Sequence, residues 1–319
     1  MMTPSQLKAY SAVARLGSVK AAAAELDVSE AAVSLHVGQL RKELGDPLFT
    51  RTGSGLAFTP GGLRLASRSV ELLGLRDRTI QEVKQAGRGR RLLRLGASGL
   101  FAEYAAPGLI EAFTQRAADL DVELSTDGSG RFETLLVTRS LDVVIAPRDQ
   151  LGGRDVQSNH FLNYEVITVA APRHPAVSSP PSVRLLREQP WLLGPSAMER
   201  GGTVTEMLRR LGVPEQRQRI FQSHAAAIEE AKRGHGVALT VRFAVTEDLE
   251  NGALARVEGP LLSGRGGWSI ATLVGDRAPS SAAELCRFVA TPRATRAMLQ
   301  RRGAGVGRFR PAVHVTLWS

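Results

Sequence analysis

Gly17-Ser18-Val19-Lys20-Ala21-Ala22-Ala23-Ala24-Glu25-Leu26-Asp27-Val28-Ser29-Glu30-Ala31-Ala32-Val33-Ser34 holds two helix starts within one short run. Ser18 and Ser29 each precede a helical pattern, and a serine hydroxyl there can accept from a backbone N–H left unpaired at a helix start. Four successive alanines make the first of the two helices thin enough for a second to cross it closely. Asp27 and Val28 form the tight turn between them.

Working outward, residues 5–16 repeat apolar side chains at helical spacing (Leu7, Tyr10, Val13, Ala14) and stop at Gly17. After Ser29 a helix runs to Leu44 before Gly45, with Val33, Val37, Leu40 and Leu44 on one stripe expected to be buried. Leu26 and Val28 are expected to share that core. Phe49 and Phe58 then stand in two short runs around the turn Gly53-Ser54-Gly55, the pattern of a small β-hairpin, or wing. Thr59 can cap a long helix from Pro60 to about residue 85, proline being well suited to a first helical position. Its Leu63, Ala66, Val70, Leu73 and Ile80 approximate the seven-residue repeat of a helix that pairs with its own copy, interrupted by Asp77 and Lys84.

Two helices crossing at small residues, the second with one buried stripe, can present that second helix to a DNA major groove. With Val33 and Val37 inward, Ala31, Ser34, Leu35, Gly38, Gln39 and Lys42 point outward. Lys20, and Arg51 with Thr52 in the wing, are placed for phosphates. Ser18, Ser29 and Glu30, at the helix starts, complete the candidate DNA-binding set. An ordinary three-helix packing unit has the same spacing, so periodicity alone leaves both readings open.

The run from Gly17 to Ser34, followed by Leu40, Glu43-Leu44-Gly45, Pro47-Leu48-Phe49, Arg51, Leu56, Thr59 and Gly61, resembles the signature of the LysR-type transcriptional regulators. Four positions depart from it. Glu30-Ala31 stands where the family usually has Gln-Pro, and Leu35 and Gly38 replace polar or basic residues. These changes bear on which DNA sequence is read, because Leu35 can touch a thymine methyl but cannot hydrogen-bond. The resemblance implies a winged helix-turn-helix of α+β type joined to an α/β, two-lobed effector domain like that of periplasmic binding proteins. It also implies a homodimer or homotetramer and a small-molecule effector, with RNA polymerase as a candidate partner.

The pattern changes after the polar, glycine-rich hinge 86–91. Strands are expected at 92–96, 122–125, 141–146, 166–170, 191–193, 237–240 and 268–274, and helices at 103–116, 132–139, 204–211, 225–233 and 282–288. Such alternation makes an α/β domain of mostly parallel strands, in two series with a late return. The expected division is therefore 1–59 for the DNA-binding domain, 60–88 for the linker helix and 89–302 for the effector domain. Its lobes are expected at 92–163 with 268–300, and at 164–267. A tail, 303–319, contains Val313-His314-Val315-Thr316-Leu317-Trp318 and reads as either a further strand or an unstructured end.

The resemblance places the effector between the lobes, and the candidate lining is Ser98, Gly99, Asp127, Ser129, Arg148, Ser196, Met198, Thr203 and His224. Most are polar residues just after strands, where loop amides attract an oxygen anion. Arg148 could balance the charge of a carboxylate or phosphate. A small anion is thus the expected effector. Ser98 could equally cap a helix, Arg148 could be solvated, and His224 suits a capping or supporting role.

The 319 residues carry a net charge of +10, but residues 1–58 hold six basic against five acidic side chains, and seven arginines without an acid crowd 287–310. High charge therefore fits DNA binding without locating it. One cysteine, Cys286, excludes an internal disulfide, and the histidines show no metal-ligand spacing, so no metal or cofactor is expected. Met1 to Tyr10 lacks the basic-then-apolar pattern of a secretion signal, and no apolar run is long enough to span a membrane, so a cytoplasmic location is expected. An enzyme is the rival class. Gly96-Ala97-Ser98-Gly99-Leu100 approximates a nucleophile elbow but has leucine where the second glycine belongs, and no phosphate-binding loop occurs. A solute-binding protein of the same lobes would not need the first ninety or so residues.

Overall fold

A capping box starts the first helix, α1 (Pro4–Leu16): the Thr3 hydroxyl accepts from Gln6 N, while the Gln6 side chain accepts from Thr3 N at 2.7 Å. In the computed structural model, which describes residues 1–52, 55–87, 89–126, 131–177 and 181–300, contacts divide the chain into two units. One is Met1–Gly87 with the stretch Val137–Ser140, and the other is Arg88–Leu136 with the chain from Leu141 on. No described helix is long and apolar enough to cross a membrane.

In the first unit α1 ends at Gly17, which takes the left-handed φ of 63°. Ser18 caps α2 (Val19–Glu25) and Ser29 caps α3 (Glu30–Leu44), each hydroxyl accepting from the backbone N–H three residues on. Tyr10, Val13, Ala22, Ala23, Val33, Val37, Leu40, Leu48 and Phe49 form one core. Two expected members are missing. Val28 is 46% exposed, because Asp27 adopts φ 53° and turns the chain outward there. Leu44 is 45% exposed although it lies on the α3 stripe; it sits in the last helical turn, and the stripe outlasts its cover.

The wing pairs β1 (Phe49–Thr52) with β2 (Gly55–Phe58) antiparallel, Phe49 opposite Phe58. Gly53 and Ser54 lie outside the described residues. Thr59 caps α4 (Pro60–Ala86), its hydroxyl accepting from Gly62 N at 2.9 Å. Leu65 and Ala66 pack on the helix-turn-helix core, whereas Leu63, Leu72, Leu75, Ile80 and Val83 are exposed.

The second unit runs β3 (Arg91–Ala97), α5 (Gly99–Tyr104), α6 (Ala106–Thr114), β4 (Leu120–Thr126), α7 (Phe132–Val137) and β5 (Val143–Pro147), and then the long strand β6 (Val156–Ala170). It continues through α8 (Val183–Glu188), β7 (Trp191–Leu193), α9 (Thr203–Leu211), β8 (Gln218–Ile220), α10 (His224–Lys232) and β9 (Val237–Val241). After α11 (Thr246–Glu250) and β10 (Ala255–Arg256), the strand β11 (Ser263–Leu273) returns, followed by α12 (Ser280–Val289) and α13 (Pro292–Leu299). The sheet order is β4-β3-β5-β11-β6-β9-β7-β8, with β10 beside β6. Strands β4, β3 and β5 are parallel, as are β9, β7 and β8, and the long pair β6 and β11 joins the two sets antiparallel. The all-buried runs of β5 and β9 follow from helices covering both faces of each parallel set.

Two expectations change. The helix expected at 103–116 is two, broken at Ala105, because Pro107 has no N–H to continue a ladder and opens the second helix instead. The strands expected to begin at 166 and 268 begin at Val156 and Ser263. The 303–319 tail, Asp127 and Ser129 lie outside the described residues.

Candidate functional site

The first candidate site is the outer face of α3. Val33, Val37 and Leu40 are buried, so the helix exposes Glu30, Ala31, Ser34, Leu35, Gln39 and Lys42, with Leu35 60% exposed. Gln39 is half tethered: its carbonyl accepts from Gln6 Nε2 at 2.8 Å, which leaves its amide NH2 as the end available to a base edge. Lys20, Arg51 and Thr52 are exposed as well. The hydroxyls of Ser18 and Ser29 are used as caps, which aligns two helix starts beside Lys20 and Glu30. Arg41, absent from the candidate set, ties the wing to α3. Its Nη2 donates to Phe49 O at 2.8 Å and its guanidinium lies 4.4 Å over the Phe49 ring.

The second candidate site is a small cleft in the second unit. It is narrow and partly open to solvent, and is lined by Ser98, Leu100, Pro147, Tyr164, Ser196, Glu199, Gly201, Gly202, Thr203, Val204 and Trp268. Ser98 follows β3 at the sheet's β4-β3-β5 end, Ser196 to Val204 follow β7 at the other end, and Tyr164 and Trp268 sit on the crossing strands. Of the expected lining, Ser98, Ser196 and Thr203 meet there. Ser98 does not cap α5: its hydroxyl is buried without a hydrogen-bond partner, and so is the indole N–H of Trp268. Tyr164 stacks on Trp268 with ring centroids 4.3 Å apart, and its hydroxyl accepts from Thr203 Oγ1 at 3.3 Å. Burial, with Asp149 and Glu199 nearby, pushes the Tyr164 hydroxyl above its ordinary pKa.

Other expected lining residues lie elsewhere. Met198 is 73% exposed and outside the lining. Arg148 is exposed in the short turn Arg148–Gln150 and also outside the lining, because the turn carries its side chain away from the strand end. The anion expectation thereby loses its cation. Gly99 gives its N–H to Glu199 Oε1 at 2.9 Å, so the amide expected to meet an effector oxygen already holds a carboxylate of the protein.

His224 is buried behind the cleft. Its Nδ1 is 2.8 Å from Glu103 Oε2 and its Nε2 2.8 Å from Ser196 Oγ. Glu103 also accepts from the backbone N–H of His224 and of Ala225, at 2.8 and 2.6 Å. Burial works against the Glu103 charge, but the His224 ring and these amides outweigh it and hold the carboxyl below its ordinary pKa. Glu199, Tyr164 and Trp268 escaped the sequence reading. Glu199 carried a usable signal: it is an acid just before Gly201-Gly202, which take φ 80° and 92°, and the Gly202 N–H donates to Asp149 at 2.9 Å across the cleft. Among the described residues no three His, Cys, Asp or Glu side chains gather as a metal site.

Comparison with known proteins bears on both sites. Residues 4–63 match the bacterial regulatory helix-turn-helix protein, lysR family, and residues 86–292 match the LysR substrate binding domain. An HTH-type transcriptional regulator of Mycobacterium tuberculosis strain H37Rv is 56% identical over 100% of both chains. The RuBisCO operon transcriptional regulator of Allochromatium vinosum is 27% identical over 89% of this chain and 94% of its own. The crystal structure of ArgP from Mycobacterium tuberculosis shares the fold, with a TM-score of 0.59 at 18% identity over 92% of this chain and 98% of that one. The chain is therefore no enzyme: it belongs to the LysR family of bacterial transcriptional regulators, with a helix-turn-helix DNA-binding domain followed by a substrate-binding domain.

Proposed function

We propose that the chain binds double-stranded DNA sequence-specifically through α3 and the wing, as a homo-oligomer joined along α4, and that a small molecule held in the cleft modulates this binding. In this reading residues 1–59 read the DNA, 60–88 link and pair the subunits, and 89–302 sense the effector. The lobes are 92–163 with 268–300, and 164–267. Their division is supported by the register shift between Trp268 and Ser269, where β11 passes from the β9 side of the sheet to β5. DNA as partner implies work in the cytoplasm, and RNA polymerase is the further partner if the protein activates.

The observation that carries the DNA reading is the contrast across α3, with Val33, Val37 and Leu40 buried on one side and Ser34, Leu35 and Lys42 exposed on the other. The test is a mobility-shift assay of the full chain on the DNA upstream of its own coding sequence, repeated with any metabolite that raises its melting temperature. Retardation that competitor DNA of unrelated sequence does not abolish is expected. Equal affinity for both DNAs would reject sequence-specific reading.

A further inference from the structure

The polar groups of the cleft are sorted by side. Toward the β4-β3-β5 end the groups without partners are both able to donate: the Ser98 hydroxyl, which can also accept, and, on β11, the donor-only indole N–H of Trp268, both in residues almost wholly buried. Toward the β9-β7-β8 end the dominant group is an acceptor. Glu199, itself 8% exposed, is fixed by Gly99 N–H at 2.9 Å and Gln150 Nε2 at 3.0 Å, and its carboxylate keeps lone pairs that these two bonds do not use. Ser196 stands beside it, its hydroxyl oxygen 2.8 Å from Nε2 of the buried His224 ring, whose Nδ1 lies 2.8 Å from Glu103. Tyr164 takes its hydrogen bond from Thr203 and so has its own O–H left to donate.

The charges agree with this sorting. Among the described residues no lysine or arginine lines the cleft, while the Glu199 carboxylate does and Asp149 accepts from the N–H of the lining residue Gly202. An anion would have to lie against Glu199 with no cation to offset the repulsion in a poorly hydrated space.

Resting on the reading of this cleft as the effector site, we propose that its ligand is a small uncharged or cationic molecule, of the amide or amine class. It turns an N–H donor to Glu199, and an uncharged acceptor such as a carbonyl oxygen, where it has one, to Ser98 and Trp268. The buried donors are then satisfied by ligand in place of being left unpaired, and Glu199 sets the charge that is accepted.

The test uses three probes of one size and different charge: propionamide, propylammonium and propionate, titrated into the full chain by ligand-observed NMR. Propionamide and propylammonium are expected to bind at least about tenfold more tightly than propionate. Glu199→Gln is expected to remove most of that preference, and Ser98→Ala to weaken propionamide more than propylammonium. The wild-type comparison decides the matter even if a variant folds poorly. Propionate binding as tightly as the others, or more tightly, overturns the class while leaving the cleft as the effector site. Failure of all three to bind the folded protein overturns the class and the site together.

Discussion

The carboxylate of Glu103, at the end of α5, accepts from the backbone N–H of His224, the first residue of α10, at 2.8 Å and lies equally close to the ring nitrogen of the same residue. The two helices flank opposite parallel sets of the sheet, so one side chain fastens the two ends of the second unit. It also fixes which His224 nitrogen faces Ser196.

A pH dependence follows. The folded-state pKa of Glu103 is lowered, so its contribution to stability is fully present above the unfolded value, about 4.3. It is lost as pH falls from there through the folded value. Glu103→Gln should therefore flatten the acid limb of a stability-against-pH curve for the second unit and cost about 1–3 kcal/mol near neutrality, where a neutral amide replaces the charged acceptor. Urea unfolding at a series of pH values reads both effects, and an unchanged acid limb would assign the limb to other carboxylates.

The second prediction concerns Gly62. A Cβ there would lie 1.9 Å from Leu48 O and 2.8 Å from the Tyr10 hydroxyl, which itself donates to Gly62 O at 2.9 Å. Backbone meets backbone at this point, so no side-chain rotation relieves the clash. Gly62→Ala should push α4 away from α1 and destabilise the helix-turn-helix unit by about 2 kcal/mol or more. Thermal unfolding followed by the fluorescence of an environment-sensitive dye is a suitable measurement. A melting temperature equal to wild type would mean that α4 shifts freely.

Legibility in the sequence tracked how local the cause was. The caps at Ser18, Ser29 and Thr59 and the stripe through Val33, Val37 and Leu40 could be read directly, because each depends on neighbours three or four residues away. The first half of β11 could not. Ser263-Gly264-Arg265-Gly266-Gly267 looks like a loop, yet Gly264 and Gly266 are strand residues because a Cβ at either would strike Thr203, and Met207 or Tyr164 besides. In the cleft, Ser98, Ser196 and Thr203 were found because each follows a strand. Glu199, Tyr164 and Trp268 were not, since only the sheet's crossover brings them together. Arg148 was misjudged because strand-end position alone does not say which way a turn sends a side chain.

Assembly gives the third prediction. The repeat in α4 pointed to Leu63, Ala66, Val70, Leu73 and Ile80, but Ala66, Val70 and Leu73 are half-buried within one chain, and only Leu63 and Ile80 of the five are exposed. Leu72, Leu75 and Val83 are exposed and share a face at helical spacing. Leu75→Asp should therefore disrupt self-association more than Leu73→Asp does, since a carboxylate at a buried seam is left unpaired. Sedimentation velocity of the two variants at matched concentration decides between the seams: monomers from Leu73→Asp with intact oligomers from Leu75→Asp would restore the first.

The fourth prediction addresses DNA reading. Ser34 is exposed on α3, one residue after buried Val33. Ser34→Glu should leave the fold intact and set a carboxylate against base-edge acceptors and phosphates. Specific affinity should fall by about 1–3 kcal/mol, roughly ten- to a hundredfold, at fixed salt. Lys20→Ala and Arg51→Ala should behave differently: each is expected to remove one phosphate contact, so that affinity falls for all sequences and the salt dependence becomes shallower by about one unit. Fluorescence anisotropy on specific and scrambled duplexes over a range of salt separates the two patterns. If Ser34→Glu binds the specific duplex as tightly as wild type with its melting temperature unchanged, then α3 reads DNA through another face, and the capped start at Ser29 and Glu30 is the next place to look.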